Sequence, residues 1–120
     1  MSRKDGSAMK KLEVIIRPSK LEEVKSVLNS HNVKGITVTQ VVGCGHQKGQ
    51  TNYYRGDTVE ITFLQKLKLE IVTDDADAED IADLIAKTAR TGEIGDGKIF
   101  ISSIENAIRI RTGERGVKAI

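Results

Sequence analysis

Residues 91–98 read T-G-E-I-G-D-G-K, and the place of this stretch between its neighbours decides the fold. Gly92, Gly95 and Gly97 fall within six residues, with Asp96 between two of them and Lys98 at the end. Glycine has no Cβ, so backbone N–H groups can turn toward a ligand and approach it closely. Successive N–H groups aimed into one concavity, beside a lysine, suit a polyphosphate. The spacing from Gly92 to Lys98 also spells G-x-x-x-x-G-K, the core of a Walker A loop. Two features exclude that reading. Ile99 stands where a magnesium-binding Ser or Thr is required, and the stretch follows a helical pattern and precedes a strand, reversing the order of a P-loop. The chain turns from helix into strand here. Taken alone, the turn is open to two readings, a phosphate-holding loop or a plain glycine turn.

Working outward, the helix before the turn begins at Asp74, Asp75 and Asp77, acids that the helix dipole favours at an N-terminus. Ile81, Leu84, Ile85, Thr88 and Ala89 form its apolar stripe, Lys87 and Arg90 occupy its last turn, and Gly92 is the expected C-cap. Beyond the turn, Ile99–Ile101 reads as a short strand. Residues 107–111 read as another, with Ile108 and Ile110 inward and Arg109 and Arg111 outward. Upstream, residues 63–73 alternate, Leu67, Leu69 and Ile71 on one face and Lys66, Lys68 and Glu70 on the other. Further back, residues 11–17 suit a central strand that Pro18 ends, and S-x-x-E from Ser19 to Glu22 predicts a capping box. Leu21, Val24, Val27 and Leu28 then share one helical face, and residues 36–43 form a β-branched strand. Between Cys44 and Thr62 no period is visible; loops this long in a compact domain are usually functional or disordered. The order βα-β-loop-βα-β predicts an α+β, ferredoxin-like βαββαβ antiparallel sheet with two helices on one face. Strands as apolar as 67–71 and 99–101 suggest that the uncovered face packs on other subunits.

The chain has 120 residues, one domain's worth, large enough to bury a core without disulfide or metal staples. Residues 1–8 are polar and aperiodic and read as a frayed or appended extension, with Met9 a plausible natural start and residues 9–120 the domain. Aromatics make up only 3%, which argues against stacking platforms for RNA or single-stranded DNA. A net charge of +2 with 30% charged residues lacks the dense basic face of a nucleic-acid binder. A single cysteine forms no intramolecular disulfide and no zinc cluster. With no membrane-length apolar run and no signal-peptide pattern, the sequence reads as soluble and cytoplasmic.

No catalytic constellation emerges. His31 sits at a helix end, His46 has no second ligand at metal spacing, and Cys44 between glycines reads as a small space-filler. Binding features are richer. Gly43, Gly45 and Gly49 with Gln47 and Lys48 form a second glycine-rich segment, where a glutamine carbonyl suits a hard cation and a lysine suits an anion. Arg109 and Arg111, two apart on a strand, would point to one face as paired phosphate clamps; a charged edge strand is the other reading. Together, three anion-suited segments favour a phosphorylated ligand.

These residues, taken with two longer motifs, make the chain resemble the PII signal-transduction family over residues 9–120. T-N-Y-Y-R-G at 51–56 resembles the family's T-E-x-Y-R-G signature; T-G-E-I-G-D-G-K-I-F at 91–100 resembles its second signature, and I-R-I-R-T-G-E at 108–114 agrees as well. The resemblance implies a cytoplasmic homotrimer that binds ATP or ADP, with magnesium, in clefts between subunits. Carried over, Gly95, Asp96, Gly97 and Lys98 would hold phosphates, and Arg109 and Arg111 would reach them across the subunit boundary. Thr37, Gly43, Gly45, Glu70 and Val72 match positions around adenine and ribose, with His46 near the phosphates. Gln47 matches the magnesium ligand. Lys66, with Gln47, Lys48 and Gly49, matches the surroundings of 2-oxoglutarate. The long loop is then the T-loop, with Tyr53, Tyr54, Arg55, Asp57 and Val59 facing a transporter, metabolic enzyme or regulator. Val59 occupies the position of the uridylylated tyrosine and Asp57 that of the cyanobacterial phosphoserine, so neither modification is expected. His46 stands where the family often has arginine. The resemblance implies a sensor, with a slow ATPase as at most a side activity. The alternatives are a regulator of adenine nucleotide alone and a plain trimeric interaction or metal-handling module.

Overall fold

The computed structural model describes residues 8–33, 35–46, 52–54, 57–59 and 61–120. Its first strand, β1 (Met9–Ile16), is followed by a 3-10 turn (Pro18–Lys20), helix α1 (Leu21–Ser30) and strand β2 (Thr37–His46). A short pair, β3 (Asn52–Tyr54) and β4 (Asp57–Val59), precedes β5 (Ile61–Asp74), α2 (Asp75–Ala89) and β6 (Gly97–Ile104). The main sheet has the order β2-β5-β1-β6, every neighbouring pair antiparallel, which is the ferredoxin-like arrangement expected.

Alternation along the strands sorts side chains between the two faces. Leu12, Val14 and Ile16 of β1 and Leu67, Leu69 and Ile71 of β5 are buried against Val24 and Leu28 of α1 and Ala78, Ile81, Ile85 and Ala89 of α2. Each large side chain withdrawn from water contributes about 1.5–3 kcal/mol, so this layer is the main source of stability. Register places Ile99 and Ile101 beside Val14 and Leu12, on the same helix-covered side. The apolar strand residues therefore lie on the helix-covered face. The uncovered face carries Lys11, Glu13 and Ile15, with Lys68 and Glu70 paired alongside and Lys98 and Phe100 on the flanking strand.

Four local expectations are corrected. Ser19 lies inside the 3-10 turn, so α1 starts at Leu21 with Lys20 at its N-cap and no side-chain capping bond; the predicted capping box does not form. Helix α2 ends at Ala89 with an extended Arg90 as C-cap, placing Gly92 two residues farther on. The aperiodic segment contains strand structure, because β2 and β5 pair as far as His46 and Ile61 and β3 pairs with β4. Residues 107–111 form no strand. Ile108 makes a single bridge to Arg115 across a turn, and Ile108 and Ile110 face solvent while Arg109 is half-buried, the reverse of the predicted alternation.

Candidate functional site

The turn from α2 to β6 is built around one carboxylate. Asp96 Oδ2 accepts the backbone N–H groups of Thr91 and Gly92, each at 2.8 Å. Asp96 Oδ1 accepts the Thr91 hydroxyl and, at 3.0 Å, the Nε–H of Arg17. Arg17 Nη2 also donates to the Ile94 carbonyl at 2.9 Å, and Glu93 N–H to Thr91 Oγ1 at 3.2 Å. The Thr91 hydroxyl first, then the two N–H groups and Arg17, hold the Asp96 carboxyl well below the usual carboxylate range against the opposing effect of burial. Its charge is matched inside the loop by Arg17, so it does not act as an unmatched charge against an incoming anion.

Glycine is required where the loop enters β6. Gly97 has φ +110, and a Cβ there would lie 1.8 Å from the Ile15 carbonyl oxygen. Gly95 also has positive φ, +100, and its carbonyl accepts the Nζ of Lys66. Lys66 projects from the uncovered face yet is only 8% exposed. Burial, then the nearby Arg17, lowers its pKa, and Asp96 pulls the other way. Lys98 is exposed at the start of β6, beside Ile15 in the sheet.

A second concavity, of about 670 Å³, lies toward the other end of the strands and gathers Thr37, Glu70, Val72 and Arg109, with Lys11 among its other walls. Thr37 pairs directly with Glu70 in register. Lys11 Nζ sits 2.7 Å from Glu70 Oε2, and this hydrogen-bonded pair lowers the pKa of Glu70 and raises that of Lys11. Arg109 is held by Glu114 at 3.2 Å within the C-terminal turn, where Gly113 N–H donates to the Arg109 carbonyl at 2.7 Å. Ala119 and Ile120 fold back to line the same concavity.

The structure thus brings four expected residues together around this concavity and four more, Gly95, Asp96, Gly97 and Lys98, at the glycine loop. It does not bring the groups together with each other. Thr37 and Lys98 lie on opposite edge strands, separated by β5 and β1, which is three strand spacings or about 14 Å. Arg111 lies in the exposed turn after Arg109 and does not line the concavity, so the two arginines share no strand face. Gly43 is half-buried within β2. Gly45, His46, Tyr53, Tyr54, Asp57 and Val59 are placed by backbone register alone. Gln47, Lys48, Gly49 and Arg55 lie outside the described residues. Among the described residues no group of three or more His, Cys, Asp or Glu side chains could hold a metal ion, and no helix is long and apolar enough to cross a membrane.

Sequence reading missed Arg17, Thr91, Lys11 and Glu114. Arg17 lies 79 residues from Asp96, and no local spacing announces that contact. Thr91 opens the glycine stretch, and its distance of five residues from Asp96 is the signal the sequence offers.

The family model described as "Nitrogen regulatory protein P-II" matches residues 9–114. A nitrogen regulatory protein P-II of Nostoc punctiforme is 57% identical over 112 residues, covering 93% of this chain and all of that protein. A counterpart from Rhizobium meliloti is 53% identical over the same coverage. Among solved structures, a B. subtilis GlnK–ATP complex superposes with a TM-score of 0.82 at 35% identity, covering 96% of this chain and 98% of that one. Arabidopsis thaliana PII bound to citrate superposes with a TM-score of 0.77 at 39% identity, covering 94% and 92%.

Proposed function

Because the chain belongs to the nitrogen regulatory protein P-II family, we propose that it is a non-enzymatic sensor whose homotrimer binds ATP or ADP in clefts between copies. One observation carries the assignment of the site to a boundary. The glycine loop sits at the end of the sheet where Ile16 pairs with Leu67, and the Thr37–Glu70–Val72–Arg109 concavity at the end where Lys11 pairs with Val72, so a second copy is needed to set one against the other. Closed rotational symmetry supplies that arrangement and repeats it at every boundary. The solved GlnK–ATP complex supports adenine nucleotide as the ligand, and the citrate-bound PII supports a small carboxylate as a second effector class.

In this reading Gly95, Asp96, Gly97 and Lys98 form the phosphate loop of one copy, Asp96 ordering it through Thr91 and Gly92. Arg109 and Arg111 reach the phosphates from its neighbour, and Thr37, Gly43, Gly45, Glu70 and Val72 surround the base and sugar. Gln47 carries magnesium, Lys66 meets 2-oxoglutarate, and the long loop between Cys44 and Thr62, through Tyr53, Tyr54, Arg55, Asp57 and Val59, docks on a transporter, enzyme or regulator in the cytoplasm. Each ligand changes partner affinity only through different affinity for the two loop states. A second reading, response to adenine nucleotide alone, is favoured by Lys66, which is already engaged by the Gly95 carbonyl. Calorimetry with ATP, ADP and 2-oxoglutarate, magnesium present, tests both. Saturable nucleotide binding supports the sensor, and a silent titration with both nucleotides contradicts it. Heat from 2-oxoglutarate only in the presence of ATP selects the two-effector form.

A further inference from the structure

We propose that Arg17 is a positioning residue of the glycine loop, acting through the Asp96 carboxylate, so that phosphate affinity depends on a side chain that touches no ligand. This rests on reading residues 91–98 as the phosphate loop.

The backbone of Arg17 is fixed from both sides. Ile16 before it pairs with Leu67 and Gly97 in the sheet. Pro18 after it restricts Arg17 to extended conformations, and φ −66, ψ 138 is where it lies. From that anchor the guanidinium reaches two points at once, Nε to the Asp96 carboxylate and Nη2 to the Ile94 carbonyl. Asp96 extends the hold to the backbone of Thr91 and Gly92 at the far side of the turn. One cation therefore ties both arms of the loop to the end of β1. Lys66 holds the residue between them through the Gly95 carbonyl.

A loop ordered before its ligand arrives loses less conformational freedom on binding, and that saving appears as affinity. The planar fork of arginine is what allows two simultaneous, differently directed bonds; a lysine ammonium at the same place serves as a point charge. The role concerns the phosphate end alone, because Arg17 does not line the concavity of Thr37, Glu70 and Val72.

Binding of ATP, ADP and adenosine to the full-length wild type and to Arg17→Gln, Arg17→Lys and Thr91→Val tests the role. Calorimetry reads the nucleotides, and displacement of a fluorescent ATP analogue reads adenosine. Arg17→Gln should lose at least tenfold in ATP and ADP affinity with adenosine affinity unchanged. Arg17→Lys should recover part of the loss, and Thr91→Val, which leaves Arg17 in place, should show a smaller loss of the same selectivity. Amide exchange at Thr91 and Gly92 should quicken in Arg17→Gln. An Arg17→Gln protein that binds ATP within twofold of wild type, or that loses ATP and adenosine affinity by the same factor, overturns the role. Should that variant fail to fold, Arg17→Lys and Thr91→Val decide by the same selectivity. A wild type that binds no ATP overturns the phosphate reading as well, whereas a wild type that binds and an Arg17→Gln that binds equally overturns only the part played by Arg17.

Discussion

Arg17 and Asp96 meet at 3.0 Å, Nε to Oδ1, across 79 residues of chain. The contact joins the end of β1, a central strand, to the turn between α2 and β6. Asp96 turns its carboxylate inward and organises the loop through the backbone of Thr91 and Gly92.

Acid should loosen this arrangement. Because the folded-state pKa of Asp96 is depressed, its contribution to stability is fully present above the unfolded value, near 3.9, and is lost as pH falls below it. Thermal unfolding of wild type and Asp96→Asn between pH 7 and pH 2.5 measures this. The wild type should be the more stable at pH 7, and the gap should close toward the acid end. A gap that stays constant down to pH 3 contradicts the assignment. Glu70, depressed in the same direction, is common to both proteins and cancels in the comparison.

Gly97 should be irreplaceable. A Cβ would lie 1.8 Å from the Ile15 carbonyl oxygen at a φ that side chains avoid, so Gly97→Ala should cost on the order of 3 kcal/mol or more. Gly92→Ala has positive φ but open space and should cost about 1–2 kcal/mol. Urea unfolding of the pair separates the two causes; equal losses would mean that close approach at Gly97 contributes nothing.

How much of this was legible in the sequence depends on the range of the interaction. Period-2 alternation along 67–71 and the helical stripe of Ile81, Ile85 and Ala89 express one-sided burial, and the fold built on them stands. Short-range signals misled where a competing interaction won. Ser19 followed by Glu22 suggested a capping box, but Pro18 opened a 3-10 turn first. Arg109 and Arg111 suggested a strand, but Gly113 N–H closes a turn onto the Arg109 carbonyl, and the solvent-facing Ile108 and Ile110 lose the meaning that alternation gave them. The motif at 91–98 marks the turn between α2 and β6 but does not announce the contact of Asp96 with Arg17, because that partner is brought in only by the β1–β6 register.

Lys98 should separate binding from folding. Its side chain is exposed, so Lys98→Ala should leave the unfolding midpoint almost unchanged while weakening ATP by about 1–3 kcal/mol, the scale of a lost charge-assisted contact. Arg111→Ala, also exposed, should behave alike. Calorimetry beside thermal melts checks both, and unchanged ATP affinity in either variant removes that residue from the site.

One nucleotide site should draw Lys98 from one copy and Arg109 from the next. Nucleotide binding by a co-refolded equimolar mixture of Lys98→Ala and Arg109→Ala chains tests it most directly. Random assortment restores both residues at about one boundary in four of a closed ring. The mixture should therefore bind ATP with wild-type affinity at that fraction of sites, although neither variant does so alone. A mixture that binds ATP no better than its two components would contradict a site shared between copies.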